Sequence, residues 1–212
     1  MNYAQLSQAI QNYCESTEQS FVANIPNFVQ LAEERIYNSV QIPAIRKNVT
    51  GTMTIGNKYM TLPSDWLATY SLAAINPATN EYTYLLNKDV NFIRAAYPGA
   101  NDNGLPLYYA IWDDNTMIFG PAPDAAYTAE LHYYYYPASI VDAGTTWLGN
   151  NFETVLLYGS LREAYIYLKG EQDIMNYYEQ KYQESLALLK RLGDGLDRQD
   201  AYRSGQVRDK VT

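Results

Sequence analysis

Apolar residues recur about every 3.6 positions at both ends of this chain and about every 2 positions in its middle. That change of period predicts helices flanking a β-rich centre. Leu6, Ile10 and Tyr13 stand at i, i+4 and i+7 within Ala4 to Tyr13, the spacing of a short amphipathic helix. Phe28, Leu31, Ala32, Ile36 and Val40 line one side of a second predicted helix, started near Asn24 and Pro26 and ended by Pro43. Glu33, Glu34 and Arg35 lie within it. Adjacent helical residues diverge by about 100°, so the acidic pair is read as a solvated face and not as a catalytic dyad.

In the middle, Val49 to Ile55 alternates as a half-buried strand, Gly56-Asn57 supplies a turn, and Tyr59 to Leu62 is expected to return as its partner. Trp66 to Ile75 and Tyr82 to Leu86 read as further strands, and Asp89 is placed to cap a helix running to Ala96. The densest β signal runs from Gly104 to Pro137. There Leu107 to Trp112 and Thr116 to Phe119 flank Asp113-Asp114-Asn115 as a hairpin, and Gly120-Pro121-Ala122-Pro123 stops the pairing. Tyr127 to Tyr136 follows as a long strand with two unlike faces. Tyr127, Ala129, Leu131, Tyr133 and Tyr135 form a core-like face, while Thr128, Glu130, His132, Tyr134 and Tyr136 form an amphipathic one open to a partner.

Beyond Pro137 the helical period returns. Gly144 to Asn151 reads as a loop holding Trp147, and Asn150 or Asn151 as the cap of a long helix with Leu157, Leu161, Ala164, Tyr165 and Leu168 on one face. Lys169-Gly170 ends it, and a second helix from Glu171 places Ile174, Tyr178, Tyr182, Leu186 and Leu189 on one stripe, making an antiparallel helical hairpin. Gly193-Asp194-Gly195 is expected to stop that helix and leave a polar tail. The fold class is therefore α+β: N- and C-terminal helices form a helical bundle around a central, mainly antiparallel β domain. The expected division is 1–47 plus 144–192 for the helical domain, 48–143 for the β-rich domain, and 193–212 for a flexible tail.

Charge and composition narrow the function. The 212 residues carry a formal net charge of −8, and residues 48 to 150 hold 3 basic against 9 acidic groups, a balance that repels nucleic-acid phosphates. The 22 tyrosines join apolar rings to polar tips, a composition favoured where proteins meet. No stretch approaches the roughly 20 apolar residues of a bilayer span, and the first residues lack a basic region with an apolar run, so a soluble, non-secreted protein is expected.

Candidate chemistry is sparse. His132 is the only histidine, Cys14 the only cysteine, and neither has a partner at ligand spacing. Asp113 and Asp114 suit a turn without a cation. No phosphate loop, zinc pattern or calcium loop occurs. A non-enzymatic protein without metal or cofactor is expected. In the tail, Arg198, Tyr202, Arg203 and Arg208 are candidate anchors for a partner, in a segment that from Gly193 could extend at most about 65 Å.

The ordered set of motifs resembles the head-to-tail adaptor (connector) proteins of tailed bacteriophages, particularly short-tailed ones. The resemblance rests on Phe28-Val29-Gln30-Leu31-Ala32-Glu33-Glu34-Arg35-Ile36, Tyr59 to Leu67, Gly104 to Ile111, Phe119 to Pro123, Tyr133 to Pro137, and Trp147-Leu148 before the helix pair. It implies a ring of about twelve identical subunits beneath the portal protein, docking the tail nozzle and extending the channel through which genome DNA passes. It further implies a place in the virion neck, assembly in the host cytoplasm, and portal contact through the C-terminal segment at Arg198, Tyr202, Arg203 and Arg208. His132, Tyr134, Tyr136 and Trp147 are the expected residues of a subunit or tail interface. A tail nozzle, neck or tail-completion component is the neighbouring reading, and a carbohydrate-binding β module is the reading from another class.

Overall fold

The computed structural model describes residues 1–99 and 101–198, with side chains through residue 193. In chain order the helices are α1 (Tyr3–Cys14), α2 (Gln19–Ser39), α3 (Val90–Ala96), α4 (Ile140–Ala143), α5 (Trp147–Asn151), α6 (Glu153–Tyr167) and α7 (Gln172–Arg198). The strands are β1 (Arg46–Thr52), β2 (Tyr59–Thr61), β3 (Ala68–Ile75), β4 (Tyr82–Tyr84), β5 (Leu86–Asn87), β6 (Asn103–Gly104), β7 (Tyr108–Ile111), β8 (Thr116–Gly120), β9 (Ala122–Pro123) and β10 (Thr128–Tyr134). The class is α+β, with helices at both ends of the chain around a β-rich centre. Two compact units emerge, a helical one of Met1–Ile45 with Tyr136–Thr212, and a β one of Arg46–Tyr135.

In the helical unit α6 packs against α1, α2 and α7. Its central place explains why Val155, Leu156, Gly159, Ser160, Leu161 and Ala164 are all buried, a wider apolar surface than the single stripe read from spacing. On α7 the expected stripe holds, with Tyr178, Tyr182, Leu186 and Leu189 in the core. A capping box starts α1: the Gln5 N–H donates to Asn2 Oδ1 at 2.9 Å, and the Asn2 N–H donates to Gln5 Oε1 at 3.0 Å. Leu6 and Ile10 are buried there, whereas Tyr13 is half exposed.

Several expectations for the helices are corrected. Pro26 lies inside α2 instead of starting it, because Phe21 and Ile25, both fully buried, carry the helix upstream. An interior proline costs roughly 3 kcal/mol, and burying two such side chains offsets a cost of that size. Leu31 faces solvent at 52% exposure, while Glu33, read as solvated, is 3% exposed. Trp147 opens the short helix α5, capped by the Thr146 hydroxyl accepting from the Gly149 N–H at 3.1 Å, where a loop was expected. Helix α7 continues past Gly193 to Arg198. A Cβ on Gly193 would come within 2.5 Å of the Gln41 carbonyl oxygen, so this glycine permits close helix packing and does not end the helix.

The β unit consists of two sheets facing a common core. One sheet has the order β1-β10-β3-β4 and the other β2-β8-β7-β5, while β6 and β9 form a small parallel pair. The main ladders are antiparallel, and β5 joins β7 in parallel. Leu72, Ala129, Leu131 and Tyr133 from the first sheet meet Tyr109, Met117 and Phe119 from the second. The β7–β8 hairpin forms as the sequence predicts, with Tyr109 opposite Phe119. Strand β2, however, pairs with β8 and not with β1. Its chain crosses to the second sheet because Met53 and Leu62, on either side of the Gly56-Asn57 turn, both enter the shared core. Helix α3 forms as expected, its Asp89 cap accepting the Asn91 N–H at 2.7 Å. It covers the outer side of the second sheet, where Ile93 packs on Ala110 and Ile118.

Candidate functional site

The alternation of β10 sends Tyr127, Ala129, Leu131 and Tyr133 inward and leaves Thr128, Glu130, His132 and Tyr134 on the outer face of the first sheet. Register then decides their neighbours. Asn48 stands opposite His132, Arg46 opposite Tyr134, and Thr50 opposite Glu130 on the β1 side. On the β3 side the pairing shifts between His132 and Tyr133, a bulge that accommodates Tyr70. The Tyr70 ring sits edge-on to His132 at 5.5 Å and to Tyr134 at 5.9 Å, centroid to centroid. The Arg46 guanidinium lies 4.5 Å from the Tyr70 centroid and 5.8 Å from that of Tyr134. Further along the face, Asn48 donates to Glu130 Oε1 at 3.0 Å. The Glu130 carboxylate, by its charge and then by a hydrogen bond, pushes the Tyr82 hydroxyl above its ordinary pKa. Tyr70, Tyr82 and Tyr84 are 40%, 54% and 67% exposed, so the face offers open aromatic surface.

The predicted interface residues therefore divide. His132 and Tyr134 come together around Tyr70. Tyr136 and Trp147 belong to the helical unit, where the Tyr136 hydroxyl donates to Asn38 Oδ1 at 2.6 Å and the Trp147 ring lies 5.6 Å from that of Phe152. Arg198 is the last residue of α7, and Tyr202, Arg203 and Arg208 lie outside the described residues. Sequence reasoning missed Tyr70 and Arg46. Tyr70 could be found only from the bulge, which shifts it onto the His132 face; Arg46 lies just ahead of the predicted strand.

The concavities offer little for catalysis. One of about 300 Å³ in the β unit is lined by Val49, Met60, Leu62, Met117 and Leu131, with no titratable side chain around it. Another of about 340 Å³ in the helical unit is bordered by Glu33, Glu34, Tyr37 and Tyr136. Burial pushes the Cys14 thiol up to about 11, which keeps it protonated and a poor nucleophile at neutral pH. The Asp113 carboxylate is used within its own loop, accepting the Asn115 N–H at 2.9 Å. Among the described residues no group of three or more histidine, cysteine or acidic side chains could hold a metal ion, and no helix is long and apolar enough to cross a membrane.

What remains is a surface for contact, and comparison with known families says of what kind. The family model described as SU10 adaptor protein matches residues 1–209, nearly the whole chain. The chain belongs to that family. It is thus a phage adaptor, a structural protein of the virion whose place at the neck brings it against other virion components such as portal and tail proteins. Adaptors of this kind are structural and not normally enzymes. No curated protein matches the chain.

Proposed function

We propose that this adaptor forms a closed ring of about twelve copies between the portal vertex and the tail of a short-tailed phage, extending the channel for the genome. The observation that carries the reading is the family match over residues 1–209. The mechanism is binding. His132 and Tyr134, with Tyr136 and Trp147 on the helical unit, serve contacts to a neighbouring subunit or to the tail nozzle. Arg198, Tyr202, Arg203 and Arg208 anchor the C-terminal segment to the portal. Assembly takes place in the host cytoplasm, and DNA passes without sequence-specific contacts. The acidic balance of the middle of the chain supports that passage, since like charge keeps a polyanion from sticking.

The test is sedimentation of the purified protein with assembled portal rings. Wild type is expected to travel with the rings, and replacement of Arg198, Tyr202, Arg203 and Arg208 by alanine to abolish that binding with the fold intact by circular dichroism. Undiminished binding of the fourfold variant would remove the portal assignment. Binding to tail nozzle but not portal would favour a tail-completion role.

A further inference from the structure

The β unit presents two exposed surfaces on opposite sides of its core. One is the outer face of the β1-β10-β3-β4 sheet, with Tyr70, Tyr82, Tyr84 and Glu130. The other is the side covered by α3, beyond the second sheet. The two differ in chemistry. On the α3 side the Lys88 ammonium lies 5.4 Å from the Phe92 centroid and 5.9 Å from that of Tyr108, and the Arg94 guanidinium lies 5.6 Å from that of Trp112. Neither cation pairs with a carboxylate among the described residues. Phe92 is 43% exposed, and the neighbouring Ala95 and Ala96 are exposed and small enough to let another backbone come close. Asp89 on this side is used as the α3 cap.

The sheet face has the complementary features. Glu130 stands in it, Glu81 ends the loop leading into β4, and the open rings of Tyr82 and Tyr84 flank them. Its own cation, Arg46, is held over Tyr70 and Tyr134, four residues along β1 from the position opposite Glu130, about 13 Å away. Among the described residues Glu130 meets the neutral Asn48 amide and Tyr82 hydroxyl and no cation, so the acidic end of the face keeps its negative charge, and tyrosine rings receive lysine and arginine well.

We infer that the outer face of the first sheet, around Glu130, Tyr82 and Tyr84, docks the α3 side of a second copy of this chain through Lys88, Arg94 and Phe92. Two unlike, complementary surfaces on opposite sides of one unit generate a heterologous contact, which closes into a ring when the rotation between copies divides a full turn. The inference rests on the ring reading above and gives it a subunit interface.

The test uses two single-cysteine variants in a Cys14→Ser background, Ala78→Cys beside the sheet face and Asn91→Cys on α3, both at exposed positions next to the named contacts, treated with a short bis-maleimide both free at high concentration and on portal rings. A head-to-tail contact predicts cross-linked dimer from the mixture of the two and none from either variant alone. Dimer from one variant alone, or no dimer from the mixture under either condition, overturns the assignment. Wild type that sediments with portal while the mixture fails to cross-link leaves the ring reading standing and removes this interface. Cross-linked dimer from a protein that ignores portal does the reverse.

Discussion

The Glu33 carboxylate of α2 accepts a hydrogen bond from the Ile140 N–H at 2.9 Å, 107 residues further along the chain. It thereby ties the longest N-terminal helix to the first turn of α4. Burial pushes the Glu33 carboxyl above the usual carboxylate range; hydrogen bonds from Ser139 and Ile140 pull it back, and the Asp142 charge raises it again. A carboxyl raised in the folded state binds its proton more tightly there than when unfolded. Stability therefore falls as pH rises from the ordinary glutamate value through the folded one.

Glu33→Gln keeps an acceptor for Ile140 and removes the titration. Its melting temperature relative to wild type is expected to improve as pH is raised from about 4 to about 7. Glu33→Ala leaves the Ile140 N–H buried and unpaired, at a cost of about 1–3 kcal/mol. Thermal melts of both variants across that range check the sign, and a pH-independent difference for the glutamine variant contradicts it.

Asp65 joins two partners of the β unit, accepting from Lys47 Nζ at 2.7 Å and from the Tyr133 hydroxyl at 2.8 Å. The hydrogen bond from Lys47, then that from Tyr133, holds its carboxyl below the usual range. The resulting stability is present above the unfolded carboxylate pKa and is lost as pH falls through the folded value. Asp65 is more than a third exposed, so solvent screens the pair and the effect is small. Asp65→Asn is expected to lower the melting temperature modestly at neutral pH, with the gap to wild type closing in acid. A gap that persists unchanged at low pH contradicts this.

Gly193 sits in α7 where a Cβ would meet the Gln41 carbonyl oxygen at 2.5 Å. In a free helix Gly→Ala stabilises by about 1 kcal/mol. Here Gly193→Ala must move backbone and is expected to destabilise by about 1–3 kcal/mol. Denaturant unfolding followed by helical circular dichroism decides between the two signs.

Phe119 of β8 is 1% exposed in the core shared by both sheets. Phe119→Ala should cost about 3–5 kcal/mol through the lost transfer and the cavity left behind. A loss below about 1 kcal/mol in chemical denaturation would mean that the two sheets do not share this core.

How much of this was legible follows from how local each feature is. The β7–β8 hairpin, the Asp89 cap and the two faces of β10 depend on alternation and turn residues within a few positions, and they formed as read except that β10 stops at Tyr134 and leaves Tyr136 to the helical unit. The partner of β2 depends on where Met53 and Leu62 are buried, which no turn signal at Gly56-Asn57 encodes. Pro26 and Gly193 carry strong local meanings as helix start and stop, and tertiary packing of Phe21, Ile25 and the Gln41 carbonyl overrode both. Glu33 looked solvated because its partner, the Ile140 N–H, is remote in sequence. Of the interface residues, His132 and Tyr134 could be placed on one face by counting in twos, whereas Tyr70 joined them through a bulge that counting does not reveal.

The most direct measurement of the central claim is mass by light scattering, first of the purified 24.1 kDa chain and then of its mixture with assembled portal rings. The account predicts that each portal ring gains about twelve copies. A portal ring whose mass is unchanged by excess protein contradicts it.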